Sequence, residues 1–364
     1  MKILIIHNNL GGGGAEKILL ILLEQLQPPK YEVTLLLIKN KGIYLNSIPD
    51  YVNLKYMIDV TNGDNPFPTD ANILSKFYKE NIDDLYDIEI AFLEGAPTKL
   101  LSYSTNKHSK KIAWVHIDLE KVHWTHSYYQ NLQEEIDCYQ KMDEIVFVSE
   151  NAKKGLERLF RKELLNSIVI ENPIDYTKIQ LAAKEYFVHY TGFTCVIVGS
   201  LVVRKGHSRL LYSMGQLFQL GYRFHLYIIG EGNEESSLKE LCHILAISEY
   251  VHFIGFQKNP YPYVANADLL VSSSISEGYP LVSCEALALG IPVLATDCTG
   301  NSDVLKNGKY GLLVNNSEQG IFYGLKSILD SSNFYMQLKN KAILGSKDCE
   351  FQMRITQIKE LLET

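Results

Sequence analysis

The stretch that decides the fold runs from a strand into a helix and reads Ser276-Glu277-Gly278-Tyr279-Pro280-Leu281-Val282-Ser283-Cys284-Glu285. The run 268–274 before it, with Leu269, Leu270 and Val271, reads as a buried parallel strand. Pro280 suits the first position of a helix that continues to residue 289. Free amides at such a helix start attract phosphate. The acids Glu277 and Glu285 can accept hydrogen bonds from hydroxyls on either side. The spacing indicates a diphosphate site, or alternatively a strand–turn–helix with two solvated acids.

Short apolar runs alternate with helical patterns along the whole chain. This alternation predicts βαβ units, and therefore parallel sheets with helices on both faces. The runs are 3–6, 33–38, 54–58, 88–93, 112–115, 145–148 and 168–170 in the first half, then 195–198, 224–229, 251–254, 269–271, 293–295 and 312–314.

The alternation stops near residue 175 and restarts at Cys195. The sequence therefore predicts an α/β architecture of two Rossmann-like domains whose parallel sheets face a cleft, with ligands at the carboxyl ends of the strands. The predicted parts are a first domain over 1–175, a linker over 176–192, a second domain over 193–331 and a helical tail over 332–364. The tail is expected to pack back toward the first domain.

Composition narrows the class of protein. A formal charge of −7 over 364 residues argues against a nucleic-acid binder. The first apolar run is too short for a signal peptide and no stretch reaches spanning length, so any membrane contact is expected to be peripheral. The six cysteines include no C-x-x-C pair and indicate reduced core thiols of a cytosolic protein. They are Cys138, Cys195, Cys242, Cys284, Cys298 and Cys349.

Two glycine-containing loops follow predicted strands. The first is Gly11-Gly12-Gly13-Gly14-Ala15-Glu16. Glu16 stands where the dinucleotide fingerprint needs its last glycine, so NAD binding is disfavoured. The second loop follows residue 198 and contains Ser200, Arg204 and Lys205. Glycines at such turns let the backbone approach a phosphate closely.

These segments together resemble the retaining glycosyltransferases of family 4, which have the GT-B fold. Residues 276–285 resemble the E-x7-E motif of that family, and residues 13–16 resemble its Gly-Gly-Ala-Glu signature. Residues 199–206 resemble its G-R-L-x-x-x-K-G loop, in which Lys205 matches and Ser200 stands in place of the arginine. We expect the neighbouring Arg204 to supply the missing positive charge.

The resemblance implies transfer of a sugar from a nucleotide diphosphate sugar, with retention of configuration. It implies that Glu277 contacts the donor sugar and Glu285 the ribose, while Lys205 and Arg204 neutralise the leaving diphosphate. His116, after a first-half strand, is expected beside the reaction centre. Glu16 and Glu94 are expected on the acceptor side, although Glu94 suits a helix N-terminal acid equally well. Further donor contacts are expected from Gly13, Gly14, Ser200, Gly230, Phe256, Gly278, Tyr279, Pro280, Leu281 and Val282.

The resemblance also favours a UDP-sugar donor, a saccharide or lipid-linked saccharide acceptor, and surface polysaccharide synthesis at the inner face of the cell membrane. We expect no cofactor and no metal, since Asp118, His123 and His126 lack a convincing ligand spacing. Basic residues in 95–111 and 153–162 predict either solvated faces or contact with an anionic membrane.

Three alternatives stay open at this point. A non-catalytic partner subunit of a glycosyltransferase complex fits the Ser200 departure. A sugar-nucleotide epimerase would share the fold and the donor. A glucan phosphorylase would need a cofactor lysine.

Overall fold

The computed structural model describes residues 1–62, 65–82, 85–348 and 350–364. The chain divides into two compact units. The first contains Met1–Pro173 together with Gln352–Thr364, and the second contains Ile174–Phe351. Cys349, one of the predicted core thiols, lies outside the described residues. The other five cysteines are buried thiols.

The first unit is built on a seven-stranded parallel sheet with the order β3-β2-β1-β4-β5-β6-β7. The interior strand β1 is buried on both faces, as the unbroken apolar run predicted. The strands are β1 (Lys2–His7), β2 (Glu32–Lys39), β3 (Asn53–Ile58), β4 (Ile88–Ala91), β5 (Lys110–Val115), β6 (Glu144–Phe147) and β7 (Ser167–Val169).

The second unit is built on a six-stranded parallel sheet with the order β10-β9-β8-β11-β12-β13. Successive residues of β8 enter different core clusters, since Cys195 and Ile197 pack in one and Val196 in the other. Alternate side chains of a strand point to opposite faces, so the sheet is covered on both. The strands are β8 (Thr194–Val198), β9 (His225–Ile229), β10 (Val251–Gly255), β11 (Leu269–Ser272), β12 (Val293–Thr296) and β13 (Leu312–Val314).

Helices connect the strands in both units, and the predicted fold class is confirmed. The first unit contains α1 (Gly14–Gln25), α2 (Ala71–Asn81), α3 (Ala96–Leu101), α4 (Leu132–Tyr139) and α5 (Glu150–Phe160). The second contains α6 (Tyr176–Ala182), α7 (His207–Gln219), α8 (Glu235–Ile244), α9 (Tyr261–Ala265), α10 (Leu281–Ala288), α11 (Thr299–Val304), α12 (Glu318–Asp330) and α13 (Ser332–Ser346), and α14 (Phe351–Glu363) ends the chain. Short 3-10 turns cover Leu45–Ser47, Val60–Asn62, Trp124–Tyr128, Val203–Lys205 and Ser248–Tyr250.

The tail predicted over 332–364 consists of two helices that belong to different units. In α13, Gly345 packs closely against Tyr310 and Leu287 of the second unit. The last helix, α14, belongs to the first unit, where Lys110 donates to the Leu361 carbonyl over 2.8 Å and Arg354 pairs with Glu171 over 3.0 Å.

The segment predicted as a linker, 176–192, is part of the second unit. Helix α6 lies in it, and Gln180 on that helix donates to the Ala288 carbonyl over 2.7 Å. The hydroxyls of Tyr186 and Tyr190 donate to the carbonyls of Asn259 and Tyr263. These three contacts join the segment to the rest of the second unit.

Candidate active site

The strand order of the second sheet brings together two loops that carry predicted site residues. Strands β8 and β11 are neighbours, with Leu269 opposite Cys195. Because both strands are parallel, the loops that follow them leave from the same edge of the sheet. The loop after β8 carries Arg204 and Lys205, and the loop after β11 carries Glu277. Residues more than seventy positions apart in sequence therefore meet.

Four side chains form what we call the cation–carboxylate cluster: Arg204, Lys205, Ser274 and Glu277. Lys205 Nζ lies 2.6 Å from Glu277 Oε1, and Arg204 Nη1 lies 3.0 Å from Glu277 Oε2. Ser274 Oγ donates to Glu277 Oε1 over 2.6 Å. Glu277 is 7% exposed and Lys205 17%, whereas Arg204 is 42% exposed. Both predicted cations therefore adjoin the first glutamate of the motif.

The cluster holds Glu277 in its charged form. Burial by itself would raise the pKa of this carboxyl group, but the charges of Lys205 and Arg204 and the hydrogen bonds from Lys205 and Ser274 outweigh it and lower the pKa. A buried carboxylate with two cations and a hydroxyl is well compensated. Two positive charges are thus held in place beside the start of α10.

Backbone contacts fix the two loops against each other. The Ile275 amide donates to the Arg204 carbonyl over 2.8 Å, and Ser273 Oγ donates to the Lys205 carbonyl over 3.0 Å. Gly206 caps α7 with φ +66°, and a Cβ there would lie 2.2 Å from the Ser273 carbonyl oxygen. Only glycine fits both that dihedral angle and that distance. The position of Lys205 is therefore set by packing of main chain on main chain.

The start of α10 lies beside the cluster. The sequence placed Pro280 at the first helical position, and the structure corrects this: Pro280 is the residue before the helix, which begins at Leu281. Proline has no side-chain acceptor, so the first helical amides, at Leu281 and Val282, have no side-chain cap. Gly278 lies in the turn before the helix. Gly300 packs against this turn so closely that a Cβ on Gly300 would lie 2.4 Å from the Gly278 carbonyl oxygen. The turn is thus tightly packed, and Tyr279 follows it.

The second glutamate of the motif, Glu285, lies one turn into α10 and is buried. The Tyr261 hydroxyl donates to its Oε1 over 3.2 Å. The alternative of two solvated acids is therefore wrong for both glutamates, since each is more than nine-tenths buried. The contact with Tyr261 could not be predicted from the motif, because Tyr261 lies outside it.

The other predicted donor contacts of this unit lie in nearby turns. Ser200 is exposed and follows Gly199 at the end of β8. Gly230 has φ +140°, and a Cβ there would lie 2.0 Å from the Gly199 carbonyl oxygen, so two strand ends require this glycine. Phe256 has an exposed ring, and its amide donates to Glu231 Oε1 over 3.1 Å.

In the first unit the glycine loop opens α1, with Gly13 as the residue before the helix and Gly14 as its first residue. Glu16 hydrogen bonds the Gly13 amide, and burial raises the pKa of its carboxyl group. A Cβ on Gly13 would lie 2.4 Å from Glu16 Oε2. The carboxylate of Glu16 thus bonds a backbone amide at the start of its own helix, as a glutamate at the third helical position commonly does. Its place on the acceptor side stays a prediction.

Two other predicted residues, Glu94 and His116, lie together. The His116 amide donates to Glu94 Oε2 over 2.9 Å, and Trp124 Nε1 donates to Glu94 Oε1 over 3.3 Å. The strands that precede them, β4 and β5, are neighbours, which brings the two residues to one edge of the sheet. Burial lowers the pKa of His116 to about 3, so its ring is neutral. Its Nε2 is buried without a partner among the described residues.

Sequence reasoning missed His7, Lys99 and Glu135 at this edge. His7 ends β1, is fully buried, and has its pKa lowered to about 4 chiefly by burial. Its place directly after a strand is the same signal that pointed to His116. Lys99 and Glu135 carried no such signal, because each reads as a solvated helical charge.

Lys99 and Glu135 hold the 3-10 turn Trp124–Tyr128. Lys99 Nζ donates to the Tyr128 carbonyl over 2.8 Å and pairs with Glu134 over 2.7 Å. Glu135 accepts from Thr125 Oγ1 over 2.7 Å and lies 2.7 Å from His123 Nε2. Buried polar groups whose hydrogen bonds are all satisfied make a segment rigid. In the described part of the chain no group of three acids, histidines or cysteines could hold a metal ion.

Glu94→Gln is expected to stabilise the first unit at pH 8 and to change little at pH 4.5. Burial, the largest effect, raises the pKa of Glu94 from its ordinary 4.5 to about 7. Between these values the folded state retains a proton that the unfolded state releases, so the free energy of unfolding falls as pH rises. Glutamine avoids this loss, which amounts to about 3 kcal/mol.

Both tryptophans, Trp114 and Trp124, belong to the first unit, so urea unfolding followed by tryptophan fluorescence reports on that unit. The exposed Glu32 provides a control, Glu32→Gln, in the same unit. An equal effect of Glu94→Gln at pH 4.5 and pH 8 would contradict the prediction.

Comparison with known proteins matches the second unit to a family. Residues 184–344 match the family described as glycosyl transferases group 1. The chain is 31% identical over 186 residues to N-acetylgalactosamine-N,N'-diacetylbacillosaminyl-diphospho-undecaprenol 4-alpha-N-acetylgalactosaminyltransferase of Campylobacter jejuni, over 50% of this chain and 48% of that one. It is 30% identical over 203 residues to the capsular polysaccharide biosynthesis glycosyltransferase CapM of Staphylococcus aureus, over 52% of each. The chain thus spans about half the length of these curated relatives.

A solved structure matches the chain over its full length. The crystal structure of HepE of Anabaena in complex with UDP and glucose superposes with a TM-score of 0.78, covering 100% of this chain and 99% of that one at 17% identity. At this identity the likeness concerns the fold. Residues 184–344, which carry the cation–carboxylate cluster and α10, therefore match the glycosyl transferases group 1 family, and the chain has the two-domain GT-B fold.

Proposed function

We propose that the protein is a retaining glycosyltransferase that moves a sugar from a UDP-sugar to a saccharide or lipid-linked saccharide in surface polysaccharide synthesis. The observation that carries this proposal is the cation–carboxylate cluster beside the uncapped start of α10. Two cations and free helical amides suit a diphosphate, and buried carboxylates suit sugar hydroxyls. Complexes of HepE with UDP and with UDP-glucose support a UDP-linked donor.

The proposed reaction breaks the bond between the sugar and the diphosphate and forms a bond between the sugar and an acceptor hydroxyl. The acceptor proton passes to the leaving diphosphate. Negative charge grows on that group as the bond breaks, and positioned donors aimed at such charge are usually the largest catalytic contribution. Lys205, Arg204 and the amides of Leu281 and Val282 fill this role. Glu277 orients the sugar, and Glu285 holds the ribose.

The second unit is proposed to bind the donor, and the first unit the acceptor. The Campylobacter relative is named for a diphospho-undecaprenol acceptor and the Staphylococcus relative for capsule synthesis. These names favour a lipid-linked or polymeric saccharide for this chain as well. His116 is proposed to act in the transfer step as a neutral ring, since its lowered pKa keeps it uncharged at pH 7.

Binding and turnover with a panel of nucleotides test the donor. We expect UDP to raise the thermal stability of the protein, by about 2.7 kcal/mol at a hundred times its dissociation constant, and GDP and ADP to raise it less. UDP release from UDP-sugars should then identify the sugar. Because Lys205 and Arg204 supply the positive charge, both signals are expected to survive EDTA. Absence of any stabilisation by a nucleotide would contradict the proposal.

A non-catalytic partner subunit is the second candidate, and the exposed Ser200 in place of an arginine favours it. Such a subunit would bind nucleotide without releasing UDP from any UDP-sugar, even with acceptor present. An epimerase would convert the donor sugar without acceptor. Product analysis of the same reactions by NMR separates these outcomes.

We also propose peripheral contact with an anionic membrane at the inner face of the cell membrane, through the end of α5. No helix in the described ranges has the length and apolar character to cross a bilayer. The stretch 95–111, predicted as a basic face, is partly satisfied internally: Lys99 is buried, and Lys110 and Lys111 donate to backbone carbonyls.

The end of α5 differs from that stretch. Arg161 and Lys162, directly after α5, are exposed, as is Lys154 within the helix, and the nearby Leu165 is 87% exposed. Basic side chains beside an exposed apolar one suit an anionic interface. We expect flotation with phosphatidylglycerol vesicles, no flotation with phosphatidylcholine vesicles, and loss of flotation in Arg161→Glu/Lys162→Glu. Equal flotation with both lipids would contradict this contact.

A further inference from the structure

A cavity of about 390 Å³ lies within the first unit, at the carboxyl ends of neighbouring strands. Asn8 follows β1, Lys39 ends β2, and Ala96 begins the helix after β4. These three strands are adjacent in the sheet order. Pockets for small molecules typically measure about 300–1,000 Å³ and occupy this edge of open α/β sheets. We call the cavity the aromatic pocket, after Phe67 and Tyr128, which also line it.

Two aromatic rings form one wall of the aromatic pocket. Phe67 and Tyr128 meet edge to face, with ring centroids 5.8 Å apart and an interplanar angle of 74°. The Asn8 side chain hydrogen bonds the Tyr128 hydroxyl. Ser127 and Lys39 add a hydroxyl and a cation to the lining. An aromatic surface together with amide and hydroxyl groups suits a ligand that has both C–H faces and hydroxyls.

The wall is held in place by the network described above. Lys99 fixes the Tyr128 carbonyl over 2.8 Å, and Tyr129 donates to the Gly95 carbonyl over 3.1 Å. The same 3-10 turn places Trp124 edge-to-face with Tyr128 at 5.8 Å and within hydrogen-bond distance of Glu94. The aromatic pocket therefore adjoins the Glu94–His116 pair through a rigid turn.

The lining argues against the other ligands of the proposed reaction. A diphosphate would need more than one cation or the start of a long helix, and among the residues of this lining Lys39 is the single cation, while α3 has only six residues. A lipid chain would be poorly matched by asparagine, serine and lysine side chains, which lose hydration when covered by an apolar group.

We propose that the aromatic pocket binds a pyranose ring of the acceptor saccharide, with Phe67 and Tyr128 against the ring and Asn8 and Ser127 toward its hydroxyls. This assignment rests on the proposed glycosyltransferase function and specifies where in the first unit the acceptor is recognised. Among the described residues that line the pocket none is a carboxylate, so neutral and acidic sugars both fit and amino sugars with a free ammonium group are disfavoured.

Saturation-transfer difference NMR with methyl glycosides tests the assignment. The probes are methyl glucoside, methyl N-acetylglucosaminide and methyl glucuronide, each with wild type and with Phe67→Ala, Tyr128→Ala and Tyr128→Phe. We expect at least one probe to receive saturation from wild type, a fivefold or greater loss in both alanine variants, and a smaller loss in Tyr128→Phe. Tyr56→Ala, an exposed aromatic on β3, is the matched control and should leave the signal unchanged. Tryptophan fluorescence confirms that each variant folds.

The outcomes separate this assignment from the function on which it rests. UDP binding should be unchanged in all of these variants. If UDP binding weakens in Phe67→Ala, the pocket belongs to the donor and the acceptor assignment is overturned. Undiminished probe signals in Phe67→Ala and Tyr128→Ala, or no signal from any probe with wild type, also overturn it. A third outcome is that wild type binds no nucleotide, while the saccharide signal seen with wild type is lost in Phe67→Ala. The transferase function then fails and the saccharide pocket stands.

Discussion

Glu277→Gln is expected to reduce release of UDP from the cognate UDP-sugar by about 100-fold or more while leaving UDP binding intact or tighter. Glutamine keeps the shape of the side chain but removes the charge that holds Lys205 and Arg204 at 2.6 and 3.0 Å. The two cations are then left to the nucleotide, which favours the diphosphate. Transfer suffers because the sugar loses its carboxylate acceptor, and a misplacement of about 1 Å costs on the order of 100-fold.

The opposite directions of the two effects distinguish this prediction from simple damage to the fold. Isothermal titration with UDP measures binding, and a coupled assay measures UDP release. Glu235→Gln, which breaks the surface pair of Glu235 with Lys239, is the control in the same unit. Turnover within threefold of wild type in Glu277→Gln would contradict the role given to this carboxylate.

Lys205→Met is expected to weaken UDP binding by about tenfold or more and turnover by about 100- to 1,000-fold, the usual cost of removing one donor to developing charge. Lys205 is less exposed than Arg204, so its charge is less screened by water. Arg204→Met should therefore have the same sign and a smaller size. Loss of Arg204 also leaves Glu277 with one cation, so turnover should fall by a larger factor than UDP affinity.

The departure at Ser200 provides a further arm of this experiment. If Arg204 supplies the charge that the family arginine supplies elsewhere, Ser200→Arg should restore UDP binding in an Arg204→Met background. Lys239→Met, at an exposed lysine of the same unit, should change neither binding nor turnover. Full turnover in Lys205→Met would contradict the proposed charge compensation.

The architecture could be predicted from the sequence because parallel strands buried on both faces require unbroken apolar runs. Each of the thirteen predicted runs overlaps one of the strands β1 to β13. The motif at 276–285 likewise indicated its own strand–turn–helix, since glycine and proline act on the local backbone. Local rules failed at the ends of elements. Pro280 was predicted as the first helical residue, but it is the residue before the helix, which begins at Leu281.

The candidate site could be predicted only in part. Lys205, Glu277 and His116 were identifiable because they follow strands, and strand ends meet at one edge of a parallel sheet. Lys99 and Glu135 were not, because burial depends on partners distant in sequence. The placement of Glu16 on the acceptor side stays a prediction; the structure adds that its carboxylate bonds the Gly13 amide at the start of α1.

The sequence by itself determined two parallel sheets, their boundaries to within a few residues, and the chemical groups available to a diphosphate sugar. These follow from periodicity, turn residues and side-chain chemistry, which act over a few neighbouring positions. Only the tertiary structure decided that β8 lies next to β11, and hence that two cations neutralise Glu277, and that a lysine of α3 is buried under Tyr128. Strand order and burial depend on contacts between distant segments, whose free energy no local pattern contains.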